Sequence, residues 1–243
     1  DAFADRPFTG NPAAVLVLDD WLPDALMLQI ATENNLSETA FAKPRIDGGW
    51  DLRWFTPLME VDFCGHATLA TAHILFTEYD APGPLVFHTR VGALRVERAD
   101  PGYQMDVPCI LPEPLDRLPE DAVSSFTTAP HRIFRNFENI FAELDSPEAV
   151  RSFQPDLNAL ARLGRLGLVV TAQDKDGPAD FVSRYFAPGA GVPEDPVTGS
   201  IHATLVPYWA TKLARDQLTA YQASARGGWL GCLLEGDRVM LSG

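Results

Sequence analysis

Cysteine is scarce. The three in the chain, Cys64, Cys109 and Cys232, form no CxxC pair and are odd in number, which argues against a disulfide framework and for a reducing, cytoplasmic compartment. Positive charge is also thin: 19 Lys and Arg stand against 33 Asp and Glu, a formal charge of -14. That balance argues against nucleic acid or an anionic membrane surface as a partner. No run approaches the roughly 18 apolar residues of a membrane span, and no charged-then-apolar leader is present. The chain opens Asp1-Ala2-Phe3 without a Met, so a few residues of an opening strand are expected to precede it.

Cofactor signatures are missing too. There is no GxGxxG, P-loop or HExxH, and His66, His73, His88, His131 and His202 show no metal-ligand spacing. No cofactor and no metal are expected, so chemistry must come from side-chain acids and bases.

What is present suits two lobes. The 46% hydrophobic content is ample for two cores, and 20 prolines with 18 glycines imply many turns and short strands. Strands are expected at 13–18, 38–43, 51–56, 85–88, 94–98 and 103–107. An amphipathic helix follows Pro23 and ends at Asn34-Asn35. Alternation in the second strand puts Glu38 on the face of Ala40 and Ala42, opposite Phe41. The proline-rich stretch 108–119 reads as an extended linker, dividing a first lobe at 1–112 from a second at 113–243, whose final strands are free to return to the first. The second lobe reads as a short helix at 122–125, strands at 133–134, 140–144, 166–172 and 181–186, and a helix at 156–163. Strands at 218–221, 229–234 and 239–241 close it.

The chain echoes itself. Arg53-Trp54-Phe55-Thr56-Pro57 recurs as Arg184-Tyr185-Phe186-Ala187-Pro188, and Gly65-His66-Ala67-Thr68 is matched, at nearly the same offset, by Gly199-Ser200-Ile201-His202. Each copy reads as a short strand ending in proline and then a glycine turn opening a helix. Both helices lack a charged face, so each is expected to be covered on all sides by its own strands. His73 then reads as a core histidine, and Pro207 as a kink or break, since it removes the donor to the carbonyl of Ala203. Facing lobes bring the two helix starts together. Unpaired N–H groups there, around Gly65, Ala67, Gly199 and Ile201, suit a carboxylate and require no basic side chain. The expected partner is therefore a small acidic molecule in the inter-lobe cleft.

Five ordered motifs carry a resemblance: Gly10-Asn11-Pro12, Asn35-Leu36-Ser37-Glu38-Thr39, Phe55-Thr56-Pro57, Gly65-His66-Ala67-Thr68 and Glu194-Asp195-Pro196-Val197-Thr198-Gly199-Ser200. The chain resembles the phenazine biosynthesis-like (PhzF) isomerase family from its first residue to Gly228. The resemblance implies a diaminopimelate epimerase-like α+β fold of two pseudo-symmetric lobes, each a barrel-like mixed sheet around a central helix. It also implies a cofactor-independent homodimer. In the family's best-understood branch, trans-2,3-dihydro-3-hydroxyanthranilate is isomerised by a glutamate that moves a proton between ring carbons. Carried over, that glutamate is Glu38, with His66, Asp195 and Ser200 at the supporting positions. A carboxylate among small residues where lobes close fits a base of raised pKa; Asp195 is also placed to cap the following turn. Arg53 and Arg184 are expected to pair with acids near the strand ends or to brace the cleft.

The related epimerases and proline racemases use one thiol from each lobe. Cys64 resembles the first position, but the second holds Thr198, far too weak an acid or base for that task. Cys64 therefore reads as a small buried residue. Two other readings stay open, a carboxylate-based epimerase using Glu38 and Asp195, and a non-catalytic protein that keeps the cleft to bind a metabolite or a protein.

Overall fold

The computed structural model describes every residue, Asp1–Gly243. The first half runs β1 (Ala13–Val17), α1 (Asp24–Asn34), β2 (Glu38–Pro44), β3 (Trp50–Phe55), β4 (Glu60–Val61), α2 (Gly65–Thr77), β5 (Leu85–Thr89), β6 (Gly92–Arg98) and β7 (Tyr103–Pro108). β1 and β2 pair in parallel with α1 as their crossover, and β3 and β5 do the same across α2. α1 stops where Asn35 turns left-handed at φ 49°, a conformation asparagine tolerates better than most residues. The β2–β3 hairpin turns on Gly48 and Gly49, both at positive φ.

The second half runs β8 (Glu113–Pro114), α3 (Glu120–Val123), β9 (Arg132–Arg135), β10 (Asn139–Glu143), α4 (Pro147–Arg151), α5 (Leu157–Ala161), β11 (Gly167–Gln173) and β12 (Phe181–Ala187). A 3₁₀ turn (Pro188–Ala190), β13 (Val192–Asp195), α6 (Gly199–Leu213), β14 (Gln217–Gln222), β15 (Gly228–Glu235) and β16 (Arg238–Ser242) complete it. Parallel pairing recurs between β10 and β11 and between β12 and β14, with α6 crossing over the latter pair.

Two lobes result, each a mixed sheet curved about one inner helix, α2 or α6. The sheets are continuous: the order β1-β2-β3-β5-β6-β7 passes into β16-β15-β14-β12-β11-β10-β9-β8. The join is antiparallel, Val239 opposite Val107. The interior is continuous as well, which corrects the expectation of two cores. Leu69, Leu75 and Phe76 of α2 share one cluster of 36 buried residues with Ile201, Leu205 and Trp209 of α6. Each such side chain contributes about 1.5–3 kcal/mol on burial. On the outer face, Met27 and Ala31 of α1 cover Phe41 and Phe55, while α4 and α5 cover β10–β12. Alternation along β2 thus sends Phe41 outward to α1 and Ala40 and Ala42 inward, with Glu38 on the inner side.

A further expectation is corrected. α2 is not covered all round: His73 is exposed, and its Nδ1 lies 2.9 Å from the Tyr103 hydroxyl. A solvent-facing position satisfied by a tyrosine replaces the expected core histidine. Of the kink or break expected at Pro207, the break does not occur. The helix continues through it, and the orphaned carbonyl of Ala203 accepts the Ile110 N–H at 2.9 Å. The proline-rich linker thereby supplies the donor that Pro207 lacks, meeting the demand that buried backbone groups be paired.

Candidate active site

Equivalent arginine clamps set the geometry in both lobes. Arg53 Nε and Nη2 donate to the two oxygens of Glu60 at 2.7 and 2.8 Å. Arg184 does the same to Glu194 at 2.7 and 3.0 Å. Each bidentate pair ties a strand to the short strand that follows it, β3 to β4 and β12 to β13, and so fixes the path into the inner helix. These guanidinium groups are fully engaged, as expected of braces.

The two inner helices meet at their N-termini. A Cβ built on Gly65 would stand 2.8 Å from Gly199 Cα, and one on Gly199 would stand 3.0 Å from Gly65 Cα. Only glycine at both positions permits this approach. The N-cap residues Cys64 and Thr198 are extended, and neither side chain caps its helix. Two uncapped helix starts, each with the positive end of its dipole, therefore converge at the lobe boundary.

Beside them lies a cleft of about 280 Å³, walled by Glu38, Cys64, Gly65 and His66 from the first lobe and by Tyr185, Asp195, Thr198 and Ser200 from the second. Glu38 is 13% exposed, and its Oε2 stands 3.4 Å from His66 Nε2. Burial, reinforced by the Asp195 charge, holds the Glu38 carboxyl well above the usual range, with Cys64 opposing. Burial likewise lowers the His66 pKa against the pull of Asp195, so the imidazole is neutral at pH 7. Burial and the nearby Glu38 push the Cys64 thiol up, keeping it protonated.

Asn11, fully buried, holds this group together. Its Nδ2 donates to Asp195 Oδ1 at 2.7 Å and to the Val197 carbonyl at 2.9 Å, and it lies 3.1 Å from His66 Nδ1. The amide nitrogen carries two protons, and the Asp195 oxygen and the Val197 carbonyl take them at the shorter distances. His66 Nδ1 stands beside that amide and Nε2 faces Glu38. The other Asp195 oxygen accepts from the Thr198 hydroxyl, while Gln222 brackets the turn by accepting the Thr198 N–H and donating to the Asp195 carbonyl.

Of the residues singled out in the sequence, Glu38, Gly65, His66, Asp195 and Ser200 come together on the cleft wall. Ala67, Gly199 and Ile201 are buried behind it, and Ala67 and Ile201 direct their side chains into the core. Any contact they make with a ligand runs through backbone N–H groups. Asp195 does not cap the following helix; it accepts from Thr198 and Asn11. Cys64 is buried but also lines the cleft, its Sγ 3.4 Å from His66 Nδ1. Asn11 and Tyr185 were missed as site residues. Asn11 stood visible in the Gly10-Asn11-Pro12 turn, but its partners are remote in sequence. Glu38, Cys64 and His66 place ligand atoms within 4.8 Å of one another; a cation there would have to displace the proton that burial keeps on the Cys64 thiol.

Comparison with known proteins agrees with this architecture. The family described as phenazine biosynthesis-like protein matches over residues 1–243. A protein of Pseudomonas aeruginosa named as an uncharacterized isomerase is 52% identical over 244 residues, covering all of this chain and 92% of that protein. A crystal structure of a PhzF-family phenazine biosynthesis protein from Enterococcus faecalis superposes with a TM-score of 0.89 at 45% identity, covering all of this chain and 92% of the other. A structure described as a predicted epimerase from Pseudomonas aeruginosa follows at TM-score 0.74 and 26% identity, covering all of this chain and 93% of the other.

Proposed function

The chain belongs to the phenazine biosynthesis-like (PhzC-PhzF) family of isomerases, and from that premise we propose that it moves a proton within a small carboxylate-bearing substrate, with Glu38 as the base and without a cofactor. The observation that carries the reading is the isolated Glu38 carboxyl, 3.4 Å from a neutral His66, at the point where two uncapped helices converge. The substrate carboxylate docks against the first-turn N–H groups of α2 and α6. Glu38 removes a proton from a carbon activated by that end of the molecule. Negative charge developing on the substrate is met by the two helix dipoles, with the His66 imidazole beside Glu38. The protonated Glu38 then returns the same proton to another carbon on the same face. Its raised pKa suits it to both halves of this cycle. Asp195, held by Asn11 and Thr198, orients a polar substituent, and Ser200 lines the opposite wall.

Stereochemical inversion by two thiols finds no support, because Thr198, the counterpart of Cys64, commits its hydroxyl to Asp195. The similarity to trans-2,3-dihydro-3-hydroxyanthranilate isomerase makes that compound the first candidate substrate. No helix is long and apolar enough to cross a membrane. A cytoplasmic homodimer belongs to the same reading and is testable by light scattering.

The discriminating experiment is Glu38→Gln. An isomerase loses about 10²–10⁴ in kcat while still binding its ligand. A protein that only binds metabolites would show no turnover in either form, and turnover unchanged by the substitution would exclude Glu38 as base.

A further inference from the structure

Trp54 and Tyr185 hold equivalent places in the two halves of the chain, each between an arginine and a phenylalanine. Their surroundings differ. Trp54 is 1% exposed within the core, whereas Tyr185 stands in the wall of the cleft. Space has been made for it there. A Cβ built on Gly167, at the start of β11, would lie 2.2 Å from Tyr185 Cε2 and 2.6 Å from its hydroxyl oxygen. Gly167 does not need glycine for its backbone, since its φ is not positive, and glycine weakens a strand. What it provides is room for the ring.

The hydroxyl so placed has no hydrogen-bond partner within the chain, in contrast to Tyr103, which meets His73, and Tyr208, which donates to Glu143. Around it are the acids of the site. Burial, then Asp195, Glu138, Glu38 and Cys64, raise its pKa far beyond the ordinary phenol value. Tyr185 therefore cannot serve as a base; it offers a proton to a hydrogen bond at any working pH.

We infer that Tyr185 is a specificity residue whose hydroxyl donates a hydrogen bond to an oxygen substituent, a hydroxyl or carbonyl, on the part of the substrate facing the second lobe. The inference rests on the proposed carboxylate-binding cleft and deepens it. Helix starts take the carboxylate, Glu38 addresses the reacting carbons, and Tyr185 reads an oxygen elsewhere on the molecule. A substrate without that oxygen leaves a phenol facing apolar surface inside a cleft of about 280 Å³, and a site built to hydrogen-bond a group rejects the analogue lacking it.

The test is calorimetric binding of anthranilate and of its 3-, 4- and 5-hydroxy derivatives to the wild type and to Tyr185→Phe, which keeps the ring over Gly167. The wild type is expected to prefer at least one hydroxy isomer over anthranilate by about tenfold. In Y185F that ratio should collapse to about twofold or less, with the melting temperature preserved. Retention of the ratio in Y185F, or a wild type indifferent to all three hydroxyl positions, overturns the role of Tyr185. A wild type that binds none of the four compounds overturns the carboxylate-binding cleft beneath it.

Discussion

Gly65 and Gly199 touch across the lobe boundary, each at the first residue of an inner helix, with room for no side chain between them. A Cβ on Gly65 would meet backbone rather than a flexible side-chain end. Gly65→Ala must therefore force the helix starts apart, and it is expected to destabilise the fold by about 1–3 kcal/mol, as overpacking of an interior does. Urea unfolding measures this directly. Affinity for a carboxylate ligand should fall in parallel, since the separated termini no longer converge.

Asn11 joins His66 and Asp195 through one amide nitrogen. Asn11→Ala leaves the Asp195 oxygen and the Val197 carbonyl without that donor, at a cost of about 1–3 kcal/mol for each buried group orphaned. Urea unfolding measures that loss; a variant as stable as the wild type would show that neither group depends on Asn11.

The order of elements was legible wherever local chemistry dictated it. The apolar runs of α2 and α6, the alternation that turns Glu38 inward and the glycine turns before both helices are local signals, and the structure follows them. What was not legible depended on contacts between distant segments. Nothing near Pro207 indicates that the Ile110 N–H will satisfy Ala203, and nothing near Asn11 indicates a bond to Asp195. The short α4 was missed although Ser146 caps it and Pro147 opens it, because five residues carry too little periodicity. His73 was misplaced because an apolar composition does not reveal which side of a helix the sheet leaves open.

Burial raises the Glu38 carboxyl above its unfolded value of 4.5. At pH 4 both states are largely protonated, and the folded form loses little. As pH climbs through the unfolded value, the unfolded chain gives up a proton that the folded state keeps, so stability declines toward the folded pKa. Glu38→Gln removes that decline. Its melting temperature should match the wild type near pH 4 and exceed it at pH 8; an equal difference at both pH values would show that Glu38 ionises normally.

His202 titrates in the opposite sense. Its ring is fully buried, with Nδ1 2.7 Å from the Thr198 carbonyl, and burial lowers its pKa to about 4. The unfolded chain takes up a proton from about pH 6.5 downward, so stability is lost as pH falls through that window to about 4. The full effect is on the order of 3 kcal/mol. His202→Gln is expected to lower stability at neutral pH yet flatten its decline between pH 6.5 and 4, read from melting curves at half-unit intervals.

Proton magnetic resonance in deuterium oxide tests the central claim most directly. Purified protein is incubated with trans-2,3-dihydro-3-hydroxyanthranilate and with a panel of small amino and hydroxy acids, alongside Glu38→Gln. Proton rearrangement or deuterium uptake at a substrate carbon that disappears in the variant is the result expected if Glu38 carries the proton. Exchange in the variant as fast as in the wild type, or none with any compound that the cleft binds, would contradict it.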